Sequence, residues 1–492
     1  MEKIRSLSRE PIMFSLFTVV VVLAVAALVG RRIGGVGLNY QDVVTALVGI
    51  TALVIALQRR GLEIGFLLWI GMFAIGYRTT DFHVPTFMDW VLTGGSMSRH
   101  YMITGETPII TIHPLSVIII GLGCLLILQR ANQRTFSWQM PTLMLPFSIF
   151  WVLGWVQGAF FGYRWFNMFP ELLVFLLMPP IFLVTTNLLQ KESFWKPVAV
   201  VFFAVGSLIA ALGLLEFLVP GIRDAVPGFI TTSDDISFLA QDGFTRAEFS
   251  FWGHGAAIFM AAFGICLVIP MWNWFPKRWQ RILMVIAVAL DLGGIYIAGW
   301  RSLWLLAPLV LLALLSARRN WAGVAVFLVI AYIGFTLLPT TAQERIQTAV
   351  SAVQGNYQDT SSQDRALRLQ EALDLLAKNP LGMGWSGAGW VHNDFLQVSA
   401  DLGIAAGALF VLWYLSTLVA LWRRNLQVHD PLILGLFGCF LFIGGLMLTQ
   451  QLINLPQTGL PLWFTWALAT VRLRQTDNYE ARGAWRAQSS LS

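Results

Sequence analysis

Charge is what this chain has little of. Only 12% of its 492 residues are Asp, Glu, Lys or Arg, where soluble domains carry about 25%. Set beside 57% hydrophobic residues, that scarcity argues against a water-soluble body. Cysteine is also scarce. Cys124, Cys266 and Cys439 lie far apart in apolar runs, so they form no disulfide framework or zinc spacing and read as small buried hydrophobes. No P-loop lysine follows the glycines, and no Gly-x-Gly-x-x-Gly fingerprint joins a strand to a helix. The short alternating segments of a membrane β-barrel are missing too. The opening "MEKIRSLSRE" leads into a full-length apolar run with no small-residue cleavage pattern, as expected of a retained first helix rather than a signal peptide. No soluble domain is expected at either end.

What is present is a succession of apolar runs, each near the roughly 20 residues that cross a bilayer. They predict an all-α polytopic membrane protein with about 12–14 spans. These begin near Pro11, Val43, Leu62, Pro114, Thr142, Glu171, Val198, Gly255, Ile282, Leu303, Ala322, Gly403, Pro431 and Leu460. The net charge of +6 is a topology signal rather than a nucleic-acid signal. Its clusters (Lys3/Arg5/Arg9, Arg59/Arg60, Arg130/Arg134, Lys191/Lys196, Lys277/Arg278/Arg281, Arg318/Arg319, Arg423/Arg424, Arg472/Arg474) fall on one side under strict alternation, with Arg31/Arg32 the exception. The positive-inside bias makes that side cytoplasmic and puts both termini there. Residues 1–473 then form one integral-membrane domain, and 474–492 a polar cytoplasmic tail expected to be disordered. Three longer connections, at 78–113, 219–253 and 339–402, face outward. They hold His83, His100, His113, His254 and His392, whereas His429 lies inside.

The third outer connection carries the richest pattern. "TSSQDRALRLQEALDLLAKNPLGMG" predicts an amphipathic helix opening near Ser361, with Asp364 in the capping-box position. Leu369, Ala372, Leu373 and Leu376 form its apolar stripe, and Asn379-Pro380 ends it. Arg365 lies four residues before Leu369, so it projects from the apolar face, with Arg368 flanking. Such an arginine either snorkels at the interface or aims its planar fork at a phosphate. Gly382, Gly384, Gly387 and Gly389 then predict a flexible connector whose backbone can approach a ligand. "VHNDFLQVSADLG" opens the next helix with Asn393 or Asp394 as N-cap, and His392 stands just before that anion-favouring helix N-terminus.

Two further arginines sit at the outer level. Arg301, in "GGIYIAGWRSLWLLAPLV", has apolar helix on both sides. A charge so placed is costly unless it is paired, for example with Asp291, or faces a watery cavity. Arg246 lies shortly before the next span and has Asp242 and Glu248 nearby. Together Arg246, Arg301, Arg365 and His392 describe a cavity of fixed positive charge with one titratable base. The only tight acidic pair outside is Asp234/Asp235, so arginine rather than a metal is expected to handle phosphate.

The stretch from Arg365 through "NPLGMG" to "HNDFLQVSADLG" resembles the signature region of the bacterial O-antigen ligase and polysaccharide polymerase superfamily. The matching positions are Arg365, Pro380, Leu381, Gly382, Gly384, His392, Asn393, Phe395, Leu396, Gln397, Asp401 and Gly403. "AGWRSLWL" and "TRAEFSFWGHGAA" are similar to its two arginine segments. Leu369 stands where the family has an aromatic residue, and "SFWGHG" replaces an Asn-Pro-Asn. The resemblance implies a GT-C-like membrane glycosyltransferase that moves a glycan from undecaprenyl pyrophosphate to an acceptor hydroxyl, without metal or other cofactor. His392 would be general base, Arg246, Arg301 and Arg365 would hold pyrophosphate, and Arg368, Asn393, Gly384 and Asp401 would support them. Its partners would be the lipid-linked donor, a glycan or lipid-core acceptor, and membrane lipid. A transporter or flippase for lipid-linked glycan is the alternative. It would need charges at the bilayer midplane, where Glu216 and Asp291 are the main candidates, too few to argue a pathway.

Overall fold

The computed structural model describes residues 61–71, 73, 80–83, 109–112, 114–133, 143–161, 177–219, 263–356, 360–384, 387–389, 391–450, 452–453 and 456–489. Apolar runs become helices because backbone groups in lipid must be satisfied within their own segment. In chain order these are α1 (Gly61–Gly71), α2 (Pro114–Gln133), α3 (Met144–Phe161), α4 (Met178–Leu188), α5 (Glu192–Leu218), α6 (Arg278–Ile297) and α7 (Arg301–Ala317). They continue with α8 (Trp321–Leu337), α9 (Thr340–Val353), α10 (Thr360–Lys378), α11 (Asp394–Leu402), α12 (Ile404–Val428), α13 (Pro431–Met447) and α14 (Pro456–Ser489). The protein is an all-α polytopic membrane protein, as its hydropathy predicts. Among the described residues, Glu192–Leu215, Arg278–Ile297 and Ile404–Val428 are long and apolar enough to cross a bilayer, and shorter apolar helices accompany them. The spans expected near Pro11 and Val43 lie outside the described residues.

Two features depart from expectation. Within the first outer connection, β1 (Thr80–His83) pairs antiparallel with β2 (Ile109–Ile112), Thr80 opposite Ile112. β2 is wholly β-branched, which suits a strand. The tail after Leu473, expected to be disordered, continues α14 to Ser489. Extending a helix that already exists avoids the cost of nucleation, and this segment is rich in Arg, Gln, Glu and Ala.

The centre of the bundle is aromatic. Trp413 of α12 packs at a tilt against Trp466 of α14 with ring centroids 4.2 Å apart, and stacks with Trp463 at 5.9 Å. From Leu460 to Ala469 the described side chains of α14 are buried, as befits a helix apolar all round.

Pair contacts fix the relative directions of the helices. Ser207 meets Asp291, and a Cβ on Gly294 would meet Ala210, so α5 and α6 run parallel. Gly445 faces Leu306 and Gly438 faces Leu314, so α7 and α13 run antiparallel. One end of the bundle therefore collects the basic clusters. There Arg472 bridges Asp430 and Glu192, Arg424 reaches Asp477 and Lys191 pairs with Glu63. Lys196, Arg281 and Arg318 donate to the carbonyls of Trp274, Phe275 and Pro270. The opposite end carries the N-termini of α7 and α12 and the C-terminus of α13.

Candidate functional site

The opposite end is assembled around α10 and α11. Helix α10 rests on α11 through a small core of Ala372, Val391 and Ala400. Arg365, Leu369 and Leu376 share this inward side, while Leu373, assigned to the stripe by sequence, is exposed. The helix starts at Thr360, so Ser361 falls inside it rather than capping it.

The glycines serve a different purpose from the flexible connector expected. Gly382 (φ +91°) and Gly403 (φ +96°) lie back to back, so a Cβ on Gly382 would come 2.4 Å from the Asp401 carbonyl oxygen. That proximity lets Met383 N–H donate to Ala400 O (2.9 Å), Gly384 N–H to Asp401 O (3.0 Å) and Ile404 N–H to Pro380 O (3.0 Å). Backbone approaches backbone, and the turn is locked to the end of α11. From α3, Gln157 Nε2 donates to Gly382 O at 2.7 Å.

The second half of the loop is held from inside α11. Asp401 accepts from Ala388 N–H (3.0 Å) and from Gln397 Nε2 (2.8 Å), while Gln397 Oε1 accepts from Val391 N–H (3.0 Å). Asp401 and Gln397 are fully buried, so their polar groups find partners as burial demands. His392 follows in a left-handed conformation (φ 56°), uncommon for a non-glycine residue. Asn393 caps α11, accepting from Leu396 N–H at 3.0 Å. This satisfies one of the orphan donors of a helix start.

Residues 448–450 and 452–453, beyond α13, run alongside. Arg365 Nη1 donates to Thr449 O (3.4 Å) and Asn393 Nδ2 to Leu448 O (3.3 Å). The fully buried Asp394 carboxyl accepts from Leu452 N–H with both oxygens (3.0 Å each) and from Ile453 N–H (3.2 Å). Burial pushes this carboxyl up to about 8, against the pull of those two amides. Burial also holds the His392 imidazole below its ordinary proton affinity; Arg365 adds to that effect, Asp364 opposes it, and Arg368 adds further. The neutral form of His392 is thereby favoured.

Arg301 is the first residue of α7. It lies five residues, about 7.5 Å along the axis, beyond Leu306, which faces Gly445. α13 ends at Met447, two residues before Thr449. Arg301 thus lies at the same end of the bundle as the Thr449 carbonyl that receives Arg365. The structure brings Arg301, Arg365, His392 and Asn393 to one end of the bundle. Arg368 is half-exposed and pairs with Asp364 and Glu371 on the helix surface. Gly384 and Asp401 support the loop as backbone and carboxylate anchors. Arg246 lies outside the described residues. No cluster of three or more His, Cys, Asp or Glu with metal-binding placement occurs among the described residues.

Sequence reasoning does not single out Gln157 or Arg345, and it names Asp394 only as a candidate N-cap and Gln397 only as a matched position. Arg345 is a buried arginine on α9, a helix that packs on α7. Its signal was the one that exposed Arg365, an arginine sharing a helical face with small apolar residues such as Ala342. Asp394 gave no such signal, because its partners are backbone amides from a segment 58 residues away.

Residues 286–411 match the family model described as O-antigen ligase. The match runs from within α6 into α12 and contains Arg301, Arg345, Arg365, Arg368, His392, Asn393 and Asp401. Arg246, Gln157 and residues 448–453 lie outside it. No curated protein matches the chain.

Proposed function

We propose, on the premise that residues 286–411 form an O-antigen ligase family domain, that the protein transfers a glycan from undecaprenyl pyrophosphate to an acceptor sugar hydroxyl. The site faces the outer side of the cytoplasmic membrane, and both termini lie in the cytoplasm. The observation that supports this reading is that Arg365 acts on His392 at the end opposite the basic clusters, the same end at which α7 begins with Arg301. His392 takes the proton of the acceptor hydroxyl as general base. The acceptor oxygen bonds to the anomeric carbon while the bond from that carbon to the phosphate oxygen breaks, and the electron pair leaves on pyrophosphate. Arg301 and Arg365, joined by Arg246, stabilise that developing charge from a preorganised position. Asn393, Gly384 and Asp401 keep the loop in place, and Arg368 supports the site by adding positive charge near His392 from the surface of α10. The donor is already activated, so the protein needs to position, polarise and deprotonate. Arginine takes the part that a metal ion would otherwise play, and no cofactor is required.

The acceptor is either the lipid core, as for a ligase, or a second lipid-linked repeat, as for a polymerase. His392→Ala is expected to abolish glycan transfer in membranes while leaving protein and donor levels intact. Full transfer by that variant would end the assignment of His392. In the same membranes EDTA should leave the rate unchanged, whereas loss restored by added metal would contradict the arginine account. The glycan profile of a deletion strain separates the two acceptors. Single repeats indicate a polymerase, and long chains left on the lipid carrier indicate a ligase.

A further inference from the structure

Residues 448–450 and 452–453 lie outside the family match, yet three residues around His392 are stitched to them. Arg365 holds the Thr449 carbonyl, Asn393 the Leu448 carbonyl, and Asp394 the Leu452 and Ile453 amides. The segment is anchored at its far side as well, since Thr458 Oγ1 of α14 donates to Leu452 O at 2.5 Å. Of the three attachments, the one through Asp394 is fully buried and makes the most hydrogen bonds. A buried carboxyl receiving two backbone N–H groups is a geometrically demanding anchor, and its loss leaves those amides without a partner.

We propose that Asp394 is a positioning residue: by tying the 392–394 turn to Leu452 and Ile453, it makes residues 448–450 and 452–453 one wall of the candidate site and holds His392 in place beside Arg365. This deepens the proposed transferase reading and rests on it for its catalytic meaning, although the mechanical link is testable without turnover. When the anchor is cut, the wall carrying the Leu448 and Thr449 carbonyls separates from the turn and water reaches the imidazole. The charged groups acting on His392 are Arg365, Asp364 and Arg368 of α10, and burial is the larger influence. Hydrating the site therefore raises the proton affinity of His392 towards its ordinary value.

The test follows the pH dependence of diethyl pyrocarbonate modification of His392, read by mass spectrometry on the full-length chain in detergent. His429, at the basic end of the bundle, is the internal control. In Asp394→Ala the midpoint for His392 should move to higher pH by roughly half a unit or more, with His429 unchanged. Asp394→Asn keeps one acceptor oxygen and should move it less, in the same direction. Because the alanine variant removes every bond of a buried anchor, the asparagine variant and Thr458→Val, which loosens the wall from the α14 side, are measured alongside. Folded variants whose His392 midpoint matches the wild type would overturn the proposal, as would an equal shift at His429, which would mark a global rather than a local change. Glycan transfer is measured in parallel. If His392→Ala still transfers glycan, the general-base reading fails, while the modification midpoints still decide whether Asp394 positions the turn.

Discussion

Arg365 illustrates how one side chain can serve two purposes at the candidate site. Its guanidinium donates to the Thr449 carbonyl and also depresses the proton affinity of His392. Removing it should therefore do more than slow the reaction. Arg365→Ala is expected to lower glycan transfer by about 10²–10³-fold, the scale seen when a preorganised charge-stabilising donor is lost. It should also move the acid limb of the pH–rate profile to higher pH. The sign follows from charge: without the neighbouring cation, His392 holds its proton more tightly, and the neutral base appears only at higher pH. Arg365→Lys should keep the charge and hence most of the pH profile, but not the rate, because an ammonium lacks the planar fork. A profile unmoved in Arg365→Ala would separate Arg365 from His392. The arginine itself was legible in the sequence because it interrupts an apolar stripe. Asp394 was not, because a carboxyl that binds backbone amides leaves no mark in the side-chain pattern of its partners.

At the scale of elements, the turn between α10 and α11 is specified by glycine, though not for the looseness its composition suggests. At Gly382 the left-handed backbone and the contact with Asp401 O act together, so Gly382→Ala should destabilise the protein by more than the roughly 1–3 kcal/mol of strained backbone alone. Gly389 (φ +71°) meets nothing within 4 Å, so Gly389→Ala should cost only about 1–2 kcal/mol from its conformation. Thermal unfolding of both variants in detergent checks the difference. Equal losses would mean that the backbone clamp between Gly382 and Gly403 does not bear on stability. The existence and ends of α10 and the cap of α11 were readable from the stripe, from Pro380 and from Asn393. The clamp was not, because glycine spacing records where a backbone needs freedom but not what it approaches. The helical tail to Ser489 was misjudged for a related reason, since a polar composition that cannot nucleate a helix can still prolong one. Arg301 is legible as a costly charge, and its place at the same end of the bundle as Arg365 is not. That placement depends on α13 running antiparallel to α7, which glycine contacts at Gly438 and Gly445 decide.

For the whole molecule, the charge distribution and the candidate site are two readings of one axis. Basic side chains on α5, α6, α7, α12 and α14 gather at one end, several of them on carbonyls or carboxylates, and the His392 turn lies at the other. On the proposed function, the positive-inside bias orients the axis so that the basic end would face the cytoplasm and α10 would face out, where a lipid-linked glycan would meet its acceptor. Single reporter cysteines test that orientation directly, because Cys266 and Cys439 are buried and only Cys124 is exposed. In a Cys124→Ser background, Glu371→Cys on the solvent side of α10 should react with a membrane-impermeant maleimide in intact spheroplasts. Arg423→Cys, exposed at the end of α12, should react only after the membrane is permeabilised. The reverse pattern would place Arg301, Arg365 and His392 in the cytoplasm. The same geometry would then serve a different reaction, because the charge that holds the basic end inside would no longer be what directs the arginine and histidine cluster outward.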